Sequence, residues 1–260
     1  AGDGPWASPA FLVPKPNGKF RLVVDYRNLN TQTVTQMFTI PRVDDTIDAV
    51  GHGKPQFLSV MDLEMGFHQI PIRDEDRDKT AFLTPTGKYQ YKTMPMGLKN
   101  SPASFQSVVD MVLSGLKYKI CLAYMDDIVV FSPTFEKHMT DLGRVLDRLI
   151  AAGLKLKPSK CDIGRSEVKF LGHVITTDGI RPAPDNIIKI KEMATPVTVR
   201  QVRRFLGMTG YYRKFIPNYG LRAKPLYDLT KKDVPFLWGP DQEGACLLYT
   251  SDAADDSACV

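Results

Sequence analysis

The order of apolar runs between residues 57 and 157 constrains the fold of this chain more than any other feature. The run at 57–62 predicts a strand that ends in an acid. Ser101–Pro102 predicts the start of a helix, because serine caps helices well and proline fits the first turn. The full predicted order is strand, helix, two hairpin strands, helix and edge strand, at about 57–62, 101–115, 120–124, 128–131, 135–151 and 154–157. This is a split βαβ arrangement, so we predict an α+β fold.

Three aspartates fall where strands of this arrangement end. Asp62 closes the first strand, and Asp126–Asp127 form the tip of the predicted hairpin. Adjacent acids in a turn are most often solvated, but the runs beside this pair are apolar, which predicts the rim of a packed sheet. Carboxylates that converge there repel one another unless cations neutralise them, and hard oxygen ligands select Mg²⁺ or Mn²⁺. Two such ions about 4 Å apart support phosphoryl transfer.

The composition is that of an ordinary globular protein. Hydrophobic residues make up 43% and charged residues 24% of the 260 residues, which argues against wholesale disorder. We find no apolar stretch of membrane-spanning length and no secretory leader, and the first residue, alanine, leads us to expect a processed or incomplete product. The net charge of +5 is compatible with a polyanionic partner but does not establish one. The four cysteines lack zinc-ligand spacing, and Cys121 is predicted to be a core residue.

Two further hairpins are predicted outside the central region. Asn17–Gly18 is a strong turn signal between the extended runs at 11–13 and 20–24. The segment 170–176 predicts another hairpin, which Asp178–Gly179 would turn.

The region beyond Pro184 is predicted to be helical. Thr198 and Gln201 form a capping box at the start of one helix. The apolar face of this helix consists of Val202, Phe205 and Leu206. Its basic face consists of Arg200, Arg203 and Arg204. A basic helix face is most often simply solvated, and the alternative is contact with the phosphates of a nucleic acid.

The hairpin tip also carries a family resemblance. Tyr124–Met125–Asp126–Asp127 resembles the YMDD box of reverse transcriptases. Other segments resemble further reverse transcriptase motifs, in the family's order, at 8–30, 59–70, 94–106, 170–173 and 204–213. The last segment is similar to gypsy-type LTR retrotransposon polyproteins, and the resemblance covers about residues 5–245. The chain is thus similar to the reverse transcriptase part of such a Pol polyprotein, as a fragment of it.

This resemblance implies a right-hand polymerase fold, in which the split βαβ (ferredoxin-like) unit is the palm. The implied bounds are 1–44 and 73–93 for the fingers, 45–72 and 94–176 for the palm with its primer grip, and 177–245 for the thumb. Residues 246–260 look like translated sequencing-adapter read-through, so we expect a non-native tail that is poorly ordered and without function. A genuine divergent tail is the alternative.

The resemblance also implies which residues carry the chemistry. Asp62, Asp126 and Asp127 would be the catalytic carboxylates and would bind two Mg²⁺ ions, with Mn²⁺ as a substitute. The Leu63 carbonyl would be a further metal ligand.

A second implied group binds the incoming nucleotide: Lys15, Arg21, Phe67, Met96, Gly97 and Lys160. Phe67 matches the bulky residue that excludes a 2′-hydroxyl, although core packing is the alternative. Met96 stands where retroviral enzymes carry a glutamine, and methionine cannot donate the same hydrogen bonds. Lys160 aligns with a lysine proposed to protonate the leaving pyrophosphate, with a plain surface lysine as the alternative.

The remaining implied residues contact the nucleic acid. Phe170, Leu171, Gly172 and His173 look like the primer grip. The other implied contacts are Gln106, Tyr124, Met125, Arg200, Arg203 and Arg204.

The predicted function is an RNA-directed DNA polymerase that adds dNTPs to a primer 3′-hydroxyl and also accepts a DNA template. The predicted partners are a template with its primer, dNTPs, and the ribonuclease H and other Pol domains, with no membrane. Relatives suggest a cytoplasmic virus-like particle with nuclear entry. The alternatives are a catalytically inactive nucleic-acid-binding protein and an RNA-dependent RNA polymerase. Phe67 and Tyr124–Met125 argue against the latter.

Overall fold

The predicted split βαβ region forms a central sheet in the computed structural model, which describes residues 4–15, 18–51 and 55–251. Over these residues the strands are β1 (Ser8–Pro14), β2 (Phe20–Val24), β3 (Phe57–Asp62), β4 (Phe82–Thr84), β5 (Gly87–Tyr89), β6 (Cys121–Tyr124), β7 (Asp127–Ser132), β8 (Asp162–Arg165), β9 (Glu167–Phe170), β10 (His173–Thr176) and β11 (Ile180–Pro182). The helices are α1 (Arg27–Gln32), α2 (Val43–Gly51), α3 (Ser101–Val112), α4 (Phe135–Ala151), α5 (Pro184–Lys191), α6 (Val199–Tyr211), α7 (Tyr219–Asp228) and α8 (Pro240–Ser251). The described residues form two compact units: 4–15, 18–51 and 57–165 belong to the first, and 55–56 and 166–251 belong to the second. In this described part, no helix is long and apolar enough to cross a membrane.

The central sheet of the first unit has the strand order β6-β7-β3-β8, and all neighbouring strands are antiparallel. The interiors of β3 and β7 are buried because their runs are apolar. Helices α3 and α4 share one apolar core with this sheet, to which they contribute Phe105, Val109, Val145 and Leu149. The sheet order confirms the predicted split βαβ arrangement.

Both predicted palm helices form, and their caps explain where they start. α4 covers the predicted span, and the Thr134 Oγ1 accepts a hydrogen bond from the Lys137 N–H at 3.3 Å. α3 begins as predicted, but Asn100 rather than Ser101 is its N-cap residue. The Ser101 hydroxyl instead donates to the Pro95 carbonyl at 3.0 Å, which fixes the preceding loop to the helix.

The predicted edge strand at 154–157 is wrong. Leu156 makes only an isolated bridge with Leu63, and the fourth strand of the sheet is β8. The physical reason is a competing side chain. The Gln69 Oε1 accepts from the Lys155 N–H at 2.7 Å, and its Nε2 donates to the Lys155 carbonyl at 2.9 Å. The Lys155 N–H is therefore bonded to an amide, while the Lys155 carbonyl and the Lys157 N–H bond the backbone of Glu64 and Asp62, which leaves an isolated bridge and not a strand ladder.

A second sheet of the first unit joins residues that are distant in sequence. Its order is β2-β1-β4-β5, with β1 and β4 parallel and the other pairs antiparallel. The hairpin between β1 and β2 confirms the prediction there, and Gly18 has a φ of 74° in its turn. Asn17, the other residue of that turn signal, lies outside the described residues.

The second unit contains the three-stranded sheet β11-β10-β9 and helices α5 to α8. The predicted turn at Asp178–Gly179 is confirmed between β10 and β11. A second turn, at Leu171–Gly172, divides the segment that we predicted to be one strand. Both residues of that turn have positive φ, 46° and 73°, as in a type I′ hairpin. The bounds of fingers, palm and thumb stay predictions.

The core of the second unit confirms the predicted face of α6. Val202, Phe205 and Leu206 are buried in it. The Thr198 Oγ1 accepts from the Gln201 N–H at 3.3 Å, as the capping box predicts. The Gln201 Oε1, however, accepts from Val197 one residue before the cap.

The expectation of poor order from residue 246 onward is wrong for the first part of that tail. α8 continues to Ser251, and Cys246 is only 7% exposed within the core of the second unit. Ala245 and Cys246 are both buried in the core of the second unit, and this packing stabilises the helix across position 246. Residues 252–260 lie outside the described part, and the tail's origin stays a prediction.

Candidate functional site

The three aspartates lie at one end of the central sheet. Asp62, the last residue of β3, is directly opposite Asp127, the first residue of β7. Asp126 precedes it in the turn, and the Asp126 carbonyl accepts from the Leu63 N–H at 2.9 Å. The ends of two buried strands therefore bring together the acids that the sequence predicted.

The turn that carries Asp126 has an unusual backbone conformation. Met125 has a φ of 53°, a region that non-glycine residues rarely occupy because Cβ crowds the following carbonyl. The Gln106 side chain holds this conformation. Its Oε1 accepts from the Met125 N–H at 2.7 Å, and its Nε2 donates to the Ala123 carbonyl at 3.2 Å.

The prediction that Gln106 contacts nucleic acid is wrong. Its side chain is completely buried beneath the hairpin, and its polar atoms bond to the chain itself. Tyr124 and Met125 are half-buried, and their contact with nucleic acid stays a prediction.

The carboxylates of the turn carry an electrostatic cost. Burial raises the pKa of Asp127, and the charges of Asp62 and Asp126 raise it further. Burial also raises the pKa of Asp126, with a smaller contribution from Asp62. The Lys160 ammonium opposes both shifts, and its Nζ bonds the Asp62 Oδ2 at 2.7 Å. This hydrogen bond raises the pKa of Lys160 in turn.

The donor chemistry at this end of the sheet fits a hard divalent cation. Three carboxylates meet there, and burial, with a smaller effect of neighbouring carboxylates, raises the pKa of two of them, Asp126 and Asp127. Within the described ranges, no group of three or more His, Cys, Asp or Glu is already close enough to hold a metal ion. Lys160 bonds one Asp62 oxygen in this arrangement, so Asp62 has a cationic partner that a metal ion would have to replace.

Phe67 lies beside this site on a short 3₁₀ helix, Gly66–Gln69. Its ring packs against Phe105 with the centroids 5.2 Å apart, and it is only partly buried. A Cβ at Gly66 would lie 2.6 Å from the Phe105 ring, so only glycine fits there. Phe67 thus packs against the core and keeps an accessible surface, and its role as a steric gate stays a prediction.

The other predicted nucleotide-binding residues are divided between two places. Arg21 and Lys15 lie on the β1–β2 hairpin, in a different sheet from the aspartates. Met96 is 47% exposed, and Gly97 beside it has a φ of 96°. The Gly97 carbonyl accepts from the Asn30 Nδ2 at 2.8 Å, which fixes this loop to α1.

Gly97 also lines an open cavity of 290 Å³ beside β2 and α1. A Cβ at position 97 would lie 3.5 Å from the Tyr26 ring, and the positive φ disfavours any other residue. The nucleotide-binding roles in this group stay predictions.

In the second unit, the predicted primer grip is only partly accessible. The side chains of Phe170 and His173 are 2% and 3% exposed, and the primer-grip role of the segment stays a prediction. Alternate residues of β9 are buried, which turns Phe170 inward, whereas His173 begins the consecutively buried run of β10. Leu171 and Gly172, the turn between them, are half-buried and are the part of the motif that a ligand can reach.

Two adjacent tyrosines hold that turn from α6 and the residue after it. The Tyr211 hydroxyl donates to the Leu171 carbonyl at 2.7 Å, and the Tyr212 hydroxyl donates to the Gly172 carbonyl at 3.0 Å. Tyr212 is 4% exposed, so it is a core residue.

The predicted basic face of α6 is present. Arg200, Arg203 and Arg204 are exposed, and the Arg203 Nη2 donates to the Thr230 carbonyl at 3.1 Å. Their contact with phosphates stays a prediction.

Two residues that we did not predict, Asp110 and Lys117, extend the polar contacts of Gln106: Asp110 bonds Gln106, and Lys117 bonds Asp110. The spacing of Asp110 in the sequence could have indicated its role. Asp110 follows Gln106 by four residues on α3, so the two polar side chains share a helix face among apolar neighbours.

Comparison with known proteins decides the family. A family model described as "Reverse transcriptase (RNA-dependent DNA polymerase)" matches residues 13–175. The chain belongs to the reverse transcriptase family. This confirms the resemblance on which the motif assignments rest.

The similar curated proteins are retrotransposon polyproteins. The chain is 43% identical over 235 residues to the retrovirus-related Pol polyprotein from transposon 297 of Drosophila melanogaster, covering 88% of this chain and 22% of that protein. It is 35% identical over 239 residues to the transposon Tf2-3 polyprotein of Schizosaccharomyces pombe, covering 92% of this chain and 18% of that protein. The chain therefore spans about a fifth of the length of these relatives.

Solved reverse transcriptases have the same fold. A foamy viral protease-reverse transcriptase in complex with double-stranded DNA superposes with a TM-score of 0.87 at 28% identity, over 95% of this chain and 43% of that one. The foamy viral enzyme in complex with an RNA/DNA hybrid gives a TM-score of 0.83 at 27% identity, over 95% and 33%. These matches support the right-hand polymerase fold for this chain.

Proposed function

We propose that this chain is an RNA-directed DNA polymerase that extends a primer 3′-hydroxyl with dNTPs and also accepts a DNA template. The observation that carries the proposal is the in-register pair of Asp62 and Asp127, with Asp126 on a left-handed turn beside it, in a chain of the reverse transcriptase family. In this proposal Asp62, Asp126 and Asp127 hold two Mg²⁺ ions, or Mn²⁺, with the Leu63 carbonyl as a further ligand. Bound ions of this kind activate a hydroxyl and stabilise charge on phosphate oxygens.

Other residues of the chain would donate a proton, select the sugar and bind the triphosphate. Lys160 holds a proton at its Nζ within reach of Asp62, where it can serve the leaving pyrophosphate. Phe67 excludes the 2′-hydroxyl of a ribonucleotide from its accessible side. Arg21 and Lys15 bind the triphosphate, because guanidinium and ammonium groups match phosphate oxygens. Met96 and Gly97 line the nucleotide from the loop before α3.

The second unit supplies contacts to the nucleic acid. The Leu171–Gly172 turn supports the primer backbone, and Arg200, Arg203 and Arg204 neutralise phosphates of the duplex without reading its sequence. The similar foamy viral structures contain double-stranded DNA and an RNA/DNA hybrid, which supports these partners. Ribonuclease H and other Pol domains as partners, and a virus-like particle as the location, belong to the same proposal.

Primer extension tests the proposal. The chain is supplied with an RNA template, a DNA primer, dNTPs and Mg²⁺, beside the Asp126→Asn variant and the control Asp228→Asn on α7. We expect extension by the parent and the control and none by Asp126→Asn. Equal extension by all three would contradict the role of Asp126. No extension by the parent, with salt-sensitive duplex binding retained, would favour the inactive binding protein.

A further inference from the structure

A chain of polar contacts runs from α3 to the turn between β6 and β7, which carries Asp126; we call this β6–β7 pair the catalytic hairpin. Gln106 and Asp110 lie one helical turn apart, and the Gln106 Nε2 donates to the Asp110 Oδ1 at 2.8 Å. The Lys117 Nζ bonds the same Asp110 oxygen at 2.6 Å. The side chains of Lys117 and Asp110 are only 13% and 25% exposed, so water screens their charges weakly.

These contacts determine which way the Gln106 amide faces. An ionised carboxylate only accepts hydrogen bonds, so Asp110 can bond the amide only through its NH₂ group. The Ala123 carbonyl, which also only accepts, is bonded by the same NH₂ group. The amide oxygen is then directed to the Met125 N–H. A flipped amide would place an NH₂ group against that N–H and the amide oxygen against the Asp110 carboxylate and the Ala123 carbonyl, which donate nothing to it.

Lys117 stabilises the largely buried carboxylate of Asp110 by forming an ion pair with it. An unpaired carboxylate beneath a sheet is strongly unfavourable, whereas a paired one is tolerated. Lys117 reaches Asp110 from the loop after α3, so two successive elements of the chain converge on one carboxylate.

We propose that Asp110, supported by Lys117, is a positioning residue for the catalytic hairpin. By orienting the Gln106 amide it keeps Met125 in the left-handed conformation and thereby fixes Asp126 at the end of the sheet. Asp110 touches neither substrate nor metal, and its effect passes through Gln106. This inference rests on the proposed function of the three aspartates.

The test compares three substitutions with a matched control. Asp110→Ala removes the acceptor, Asp110→Asn keeps an oxygen that can accept from Gln106 but removes the charge, and Lys117→Met removes only the counter-charge. Asp228→Ala is the control, because Asp228 forms an ion pair of the same 2.6 Å length with Lys231 in the other unit.

Two measurements separate positioning from folding. The first is hydrogen exchange at the Met125 backbone amide, resolved by NMR on the full chain without nucleic acid. The second is primer extension, analysed for kcat and for primer–template Kd. For Asp110→Ala we expect faster exchange at Met125, an unchanged Kd, and a kcat reduced about 10- to 100-fold, the usual effect of removing a supporting residue. Asp110→Asn should recover most of both losses, and the control should match the parent.

Several results would overturn the inference. They are unchanged exchange at Met125 in Asp110→Ala, faster exchange with an unchanged kcat, and no recovery in Asp110→Asn. If Asp110→Ala does not fold, Lys117→Met takes its place, with smaller losses in the same direction, and parental values there would overturn the inference. A parent that does not extend primers contradicts the proposed function and the catalytic part of this inference together, while the exchange data still decide whether Asp110 holds the turn.

Discussion

The hairpin turn at Met125, beside the proposed catalytic acids, and the turn at Leu171–Gly172 of the predicted primer grip share a left-handed backbone but are stabilised by different chemistry. A buried amide holds the first turn, and three carboxylates and a lysine surround it. Two tyrosine hydroxyls hold the second, which has aromatic neighbours at His173, Tyr211 and Tyr212. The comparison indicates that the first turn is built to concentrate negative charge, at a cost in stability, and the second to present a rigid backbone.

The largest expected effect comes from removing a carboxylate of the first turn. Asp127→Asn should reduce kcat by roughly three orders of magnitude or more, because it removes a group of the reacting centre. The same variant should have a higher Tm without metal ions. Because the pKa of Asp127 is raised in the folded protein, its ionised carboxylate destabilises the folded state once the pH rises above that pKa. Asparagine carries no charge and avoids this destabilisation.

Primer extension and metal-free thermal denaturation at pH 7 check the two halves of this prediction. A lower Tm together with lost activity would mean that Asp127 has a structural role, which would break the contrast between the turns.

The second prediction tests whether glycine is the better residue in both turns. Gly172→Ala should lower the free energy of unfolding by about 1–2 kcal/mol, because position 172 has a φ of 73° and a Cβ there would lie 3.2 Å from the Tyr212 Oη. At the first turn, Met125→Gly should have a free energy of unfolding about 1 kcal/mol higher than that of Met125→Ala, because both variants lose the partly buried side chain and only glycine avoids the left-handed backbone penalty. Urea unfolding of the three variants measures these differences. Equal values for Met125→Gly and Met125→Ala would show that the backbone strain of the second turn is not shared by the first.

A pH-dependent loss of stability is expected for the first unit. His138 is fully buried, its Nε2 lies 2.7 Å from the Ser59 Oγ, and burial lowers its pKa although Asp141 opposes the shift. Folded protein therefore resists protonation of His138, and stability should decrease as pH falls from about 6.5 toward the lower folded pKa.

The measurement is the free energy of unfolding between pH 7.5 and 5.5, in the parent and in His138→Gln. The variant should have the flatter profile over this range, since glutamine does not titrate. Parallel profiles would exclude His138 as the source of the pH dependence.

The smallest effect is expected on the exposed helix face of the second unit. Arg200→Ala should weaken duplex binding modestly and reduce the slope of log K against log salt by about 1, the amount expected for one lost phosphate contact. Arg148→Ala on α4 is the matched control, because it removes an exposed arginine from a helix outside the predicted duplex contacts. Equal slopes in both variants would show that Arg200 is only a solvated charge.

The apolar pattern of the sequence was sufficient for the central sheet and for the meeting of Asp62 with Asp127. Strand and helix periods depend on local composition, and the elements they predict pack in few ways. It was insufficient at 154–157, where the side chain of Gln69, 86 residues from Lys155, bonds the Lys155 N–H and shares its carbonyl, so that only an isolated bridge forms. A competitor so distant in sequence leaves no mark in the local pattern.

For the site residues, too, the sequence indicated which residues matter but not which of them are buried. Motif resemblance identified Gln106, Phe170 and His173 as functional, but it cannot distinguish a residue that touches a ligand from one that holds the residue that does. Burial makes that distinction, and it depends on the packed structure. The Gln106–Asp110 spacing on α3 was the one readable sign that this glutamine faces inward.

The proposed cation site of the three aspartates is tested most directly by Mn²⁺ binding, measured by electron paramagnetic resonance on the full chain with primer–template and a non-reactive dNTP analogue. We expect the parent to bind Mn²⁺. Binding should be lost or strongly weakened in each of Asp62→Asn, Asp126→Asn and Asp127→Asn, and retained in Asp228→Asn. Mn²⁺ binding of parental strength in all three variants would contradict the claim that these aspartates form one cation site.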